Sequence, residues 1–160
     1  MALEIMTWLV AIPFLGFATG LRSMTPIAAL CWFVYAGQMS ADWAHWVGRL
    51  SVAIVLTVCA AGELLADKMP WIPNRISPAP LIWRIVLAGF IGAYAASSEQ
   101  GPGLEGVLLA GVGVLIGAFG GFMFRRELVQ RFDCKDWQIA LSEDILAIAG
   151  SIYALRIISM

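Results

Sequence analysis

A chain of 160 residues that is 61% hydrophobic and only 13% charged, with a mean hydropathy of +0.84, is too apolar for a soluble domain. Soluble domains are about half apolar and about a quarter charged. The formal net charge of −1 and the lack of a basic patch interleaved with aromatics exclude nucleic acid as a partner. The composition predicts an all-α polytopic transmembrane helical bundle, a single integral membrane domain over residues 1–160 with the lipid bilayer as its first partner.

The amino-terminal MALEIM has no basic residue ahead of its apolar run, so the first helix reads as retained rather than as a cleaved signal. The following stretch, residues 5–46, is ambiguous. TGLRSMTP divides it, and the segment holds two short spans, one broken span or a re-entrant hairpin. A helix needs roughly 20 residues to cross the hydrocarbon. Pro26–Gly37 is too short alone and would have to borrow QMSADWAHW. Four further apolar segments follow, at Leu50–Ala66, Leu81–Ser97, Leu104–Phe124 and Trp137–Ile158. The segment ending at Phe124 is expected to stop at Arg125-Arg126, before the charged loop RRELVQRFDCKD.

Basic residues favour the cytoplasmic side. With six spans, Arg22, Lys68, Arg75, Arg84, Arg125, Arg126, Arg131 and Lys135 share one side, and only Arg49 and Arg156 lie opposite. Six spans are therefore expected, with both termini outside; five spans, with residues 5–37 as one broken helix, are the alternative. Trp43 and Trp46 then fall at the outer interface, and Trp71, Trp83 and Trp137 at the inner one, depths that suit an apolar ring with a wet N–H.

Gly113, Gly117 and Gly121 line one helical face, as do Gly16 and Gly20. Small faces let helix backbones approach closely in lipid, and they are read as packing surfaces within the bundle, with a homo-oligomer as the alternative. The three cysteines, Cys31, Cys59 and Cys134, have no CxxC spacing, and the single histidine, His45, is far from them. No metal site or cofactor is implied.

Ionisable residues inside an apolar bundle are its strongest functional signal. Glu63 and Asp67, four apart, share a face, with Lys68 beside them. Glu143 and Asp144 are adjacent and point about 100° apart, so only one is expected to face the bundle axis. Arg84 lies one turn into its span, and Arg22 enters from TGLRSMTP. Ser23 or Thr25 is expected to cap the next helix, with Pro26 in its first turn. A helix amino terminus beside Arg22 is a ready anion site. Three readings compete: internal pairs, Arg22 or Arg84 neutralising Glu63 or Glu143; a cytoplasm-facing pocket for a small ligand; or charges that never meet. WIPNRISPAP reads as a stiff loop.

GLRSMTP, GELLADKMP followed by PNRISPAPLIWR, GAFGGFMFRREL and ALSEDILAI occur in that order. Together, from about residue 10 to about residue 155, they resemble a bacterial family of small polytopic membrane proteins, domain of unknown function 4126. The resemblance implies a bacterial cytoplasmic-membrane, multi-pass protein and adds no chemistry. Its motifs single out Arg22, Glu63, Asp67, Lys68, Arg84, Arg126, Glu143 and Asp144.

The leading functional expectation is a transporter or channel-like protein. Arg22, with Ser23 and Thr25, would meet an anionic or zwitterionic substrate, and Glu63 and Glu143 would couple a proton or cation. A structural or assembly subunit is the second expectation. An enzyme acting on inner-leaflet lipid phosphates is the third, weakened because no nucleophile–base set is recognisable.

Overall fold

The computed structural model describes residues 2–66, 78–132 and 136–160, those at 2–7, 129–132 and 136–138 by backbone alone. Among these residues the chain is all helical: α1 (Ala2–Leu21), α2 (Met24–Tyr35), a 3₁₀ turn (His45–Gly48), α3 (Leu50–Ala66), α4 (Pro78–Ser98), α5 (Gly103–Phe132) and α6 (Asp136–Ile158). Two segments, Pro78–Ser98 and Gly103–Leu128, are long and apolar enough to cross a membrane, while Trp8–Leu21, α2 and α3 are shorter apolar helices.

α1 is the central helix and packs on α4, α5 and α6. It runs parallel to α5, with Gly16 against Ala110, Gly20 against Val114 and Gly117, and Gly121 against Leu21. A Cβ at Gly16, Gly113 or Gly117 would overlap the carbonyl of Ala110, Pro13 or Phe17 respectively, so these backbones touch directly. The antiparallel α4–α5 pair is built likewise: Gly92 and Gly106 face each other, flanked by Ala96 and Ala110. Sequence spacing pointed to Gly16 and Gly20 in α1 and to Gly113, Gly117 and Gly121 in α5; Gly92 and Gly106 lie outside those four-residue stripes.

TGLRSMTP is a tight turn. The last bond of α1 runs from Arg22 N to Ala18 O at 2.8 Å, and α2 begins at Met24. One helix cannot run through this point without strain, because Pro26 has no N–H and its ring would meet the carbonyl of Arg22.

α2 does not borrow QMSADWAHW. It stops at Tyr35, where Gly37, at φ +72°, donates to Val34 O and Gln38 donates to Phe33 O. This paired closure uses glycine because the left-handed conformation costs it nothing. At 12 residues α2 rises about 18 Å. The chain then lies against α4: Met39, Ala41, Ala44 and Val47 are buried, and Ala41 N donates to the Tyr94 hydroxyl at 3.3 Å. Trp43 and Trp46 set their rings 5.5 and 5.6 Å from that of Phe90.

α3 is peripheral. It packs on α2 and the 3₁₀ turn, with only Ala53 and Ala60 buried along its length. α5, by contrast, overruns its expected end and stays helical through Arg125-Arg126 to Phe132. RRELVQRF holds good helix formers and neither glycine nor proline, so charge ends the apolar run without ending the helix.

Candidate functional site

The α1–α2 turn is the point where the buried charges meet. Arg22 is only 1% exposed and forms an ion pair with Asp144 of α6. Arg84 of α4, also buried, donates from Nη1 to the carbonyl of Gly20 at 2.7 Å. That carbonyl belongs to the last turn of α1, whose free C=O groups and negative dipole end favour a cation.

The start of α2 is served by a residue 40 positions away. Glu63 of α3 accepts from Ser23 N at 2.9 Å and from Ser23 Oγ at 2.6 Å through Oε1, and from Met24 N at 2.7 Å through Oε2. The first N–H groups of a helix have no partner within it, and a carboxylate there also meets the positive end of the dipole. Each side of the turn is thus capped in trans by the charge its dipole favours.

Capping by Ser23 or Thr25 is corrected by this arrangement. Ser23 makes no side-chain cap bond to α2, since its hydroxyl is spent on Glu63. Thr25 is buried within the first turn. Pro26 does take its expected first-turn place. The paired acids also depart from expectation: Glu143 and Asp144 are both buried, at 5% and 6% exposure. This is possible because α6 lies across α1, so one acid reaches Arg22 at the turn while the other lies beside Gly121 of α5.

The structure therefore brings together Arg22, Ser23, Glu63, Arg84, Glu143 and Asp144, contributed by α3, α4, α6 and the turn. Arg22 pairs with Asp144, where sequence spacing favoured Glu63 or Glu143. Arg126 is exposed on the extension of α5. Asp67, Lys68 and most of WIPNRISPAP lie outside the described residues. Among the described residues no three His, Cys, Asp or Glu side chains come close enough to share a metal ion.

Sequence reading also missed the bridge between Trp32 Nε1 and Thr57 Oγ1, at 2.9 Å, which ties α2 to α3. Nothing local announces it. The hydroxyls of Thr19 and Ser151 are satisfied by carbonyls four residues back, those of Leu15 and Ala147, so they hold no partner helix.

The family model for Domain of unknown function (DUF4126) matches residues 9–157. The chain belongs to this family. The match takes in every residue of the junction, from Gly20 to Asp144. No curated protein and no solved structure matches the chain.

Proposed function

We propose that this is a multi-pass protein of the bacterial cytoplasmic membrane, a transporter or channel-like bundle whose working site is the junction at the α1–α2 turn. Its substrate class is a small anionic or zwitterionic molecule, with a proton or cation as the coupled species. The membrane placement is supported by apolar side chains that face outward along the helices, among them Val10, Val58, Leu104, Leu108 and Met123. Water penalises such a surface and a bilayer does not.

One observation carries the functional reading. Glu63 fills a three-donor anion site at a helix amino terminus, with the cations Arg22 and Arg84 nearby. The protein's own carboxylate stands where a substrate carboxylate would bind. Once Glu63 withdraws or its charge is neutralised, the same donors are available to an anion from solution. The donors to Glu63 are two backbone N–H groups and a hydroxyl, all neutral, so its carboxylate is the charge that a coupled proton or cation would balance.

Chemical rescue tests this. The Glu63→Ala protein in detergent gains thermal stability saturably with added acetate, and the wild type does not. In proteoliposomes, a pH gradient drives uptake of small carboxylates by the wild type, and uptake falls at least tenfold in Glu63→Gln. An absence of both rescue and uptake overturns the reading. The structural-subunit alternative draws on the same bonds, because each one also fastens helices together. It is favoured if exchanging Arg22 and Asp144 restores folded protein and leaves every phenotype of the wild type intact.

A further inference from the structure

Beside the junction, α2, α3 and α6 line an open-sided slot of about 240 Å³. α2 contributes Thr25 and Trp32 with alanines between them, α3 contributes Thr57 and Ala61, and α6 contributes Ile148 and Ile152. The spacings of three, four and seven along α2 and α3 put one continuous face of each helix on the slot. Trp32 Nε1 closes one end by donating to Thr57 Oγ1 at 2.9 Å, and that hydroxyl is itself used on Ala53 O at 2.7 Å. At the other end stands Thr25. It is 8% exposed, and its hydroxyl has no hydrogen-bond partner among the described residues.

An apolar groove left unfilled between three helices, with alanines on two walls keeping it open, is an unusual feature of a packed bundle. A buried hydroxyl without a partner is equally unusual. Water answers neither need, since an ordered buried water takes about two to four polar partners and this slot offers a single unused hydroxyl. An alkyl chain ending in a neutral carbonyl answers both: methylenes fill the alanine-lined length and the carbonyl accepts from Thr25 Oγ. A free carboxylate is disfavoured there, because Glu63 already places a negative charge on the same helix terminus.

We propose that the slot is a lipid site holding one acyl chain of a bilayer phospholipid, its ester carbonyl on Thr25 Oγ and its chain running toward the Trp32–Thr57 bridge. This rests on the membrane placement above and is independent of transport.

Native mass spectrometry of the protein released from mild detergent reads the site directly. The wild type retains one phospholipid per chain. Ala61→Leu, which fills the slot, lowers the retained fraction at least tenfold. Thr25→Val lowers it about threefold and Thr25→Ser restores it, and this near-isosteric pair separates loss of the hydroxyl from loss of fold. Val58→Leu, on the outward face of α3, leaves retention at the wild-type level. Phospholipids brominated along the acyl chain quench a component of the tryptophan emission that is missing in Trp32→Phe. Retention unchanged in Ala61→Leu overturns the site, as does a retained mass equal to a free fatty acid, or no retained lipid from a chain that resists alkaline extraction of membranes. A chain released by alkaline extraction overturns the membrane placement itself.

Discussion

α1 and α5 meet backbone to backbone, whereas α2 and α3 meet through long polar side chains. In the first pair glycines remove every atom that would hold the axes apart, and contact extends along the helices from Pro13 to Gly121. In the second pair, two bridges span the interface: Glu63 to Ser23 and Met24 at one end, Trp32 to Thr57 at the other. Alanines and the slot lie between them. Both devices hold, but differently. Dispersion summed over a long seam gives a rigid pair, and isolated hydrogen bonds give one whose parts can separate. The charged junction lies where the two kinds of attachment meet.

The largest effect is expected at that meeting point. Asp144→Ala removes the carboxylate paired with buried Arg22, and breaking a buried ion pair from one side costs about 3–5 kcal/mol. SDS-induced unfolding in mixed micelles measures it. The double variant Arg22→Met with Asp144→Leu recovers most of the loss, since apolar partners of similar size remove the stranded charge. A single variant as stable as the wild type would show that the pair does not tie the turn to α6.

Next comes the seam itself. Gly113→Ala forces its methyl onto the carbonyl of Pro13, and overpacking of this kind costs about 1–3 kcal/mol in unfolding free energy. Because the neighbouring atom is backbone, α1 must move away from α5 as a unit. The comparison breaks if Gly113→Ala is neutral, because a seam that opens without cost is not the rigid half of the molecule.

Much of this architecture was legible in the chain. The glycine period marks the α1–α5 seam, and the acids and bases that converge were visible as charges stranded in apolar runs. Two things were not. YAGQ carries a stop signal, a glycine just past a helical run, while the length of a full span argues for continuing through QMSADWAHW; the glycine decides, and α2 ends at Tyr35. The partners within the junction were also hidden. Sequence spacing reports which residues share a face, whereas the pairing of Arg22 with Asp144, and of Glu63 with a helix end, depends on how α3 and α6 are placed around the turn. The expectation of serine or threonine capping followed local chemistry, and a carboxylate from another helix displaced it.

Glu63→Ala deletes the cap on α2, worth about 1–2 kcal/mol by analogy with helix capping. Local readouts should separate the two regions: hydrogen exchange rises in α2 and α3, while α1 and α5 keep wild-type protection. Equal loosening of all four helices would erase the distinction between the α1–α5 seam and the α2–α3 pair.

The smallest effect tests what covers the outer face of α3. Gly62 lies one residue before the capping glutamate, in mid-helix, and an added Cβ there meets nothing within 4 Å. Where space is open, replacing glycine by alanine removes only backbone freedom, so Gly62→Ala is expected to stabilise by about 0.5–1 kcal/mol. The same exchange at Gly113 is destabilising, and the opposite signs follow from a single difference: one glycine faces a carbonyl and the other faces open space. If Gly62→Ala instead destabilises, and a dimer seen by light scattering in the wild type dissociates with it, the outer face of α3 is docked against a second copy. The α2–α3 pair would then be held from both sides, and its looser attachment would describe the isolated chain alone.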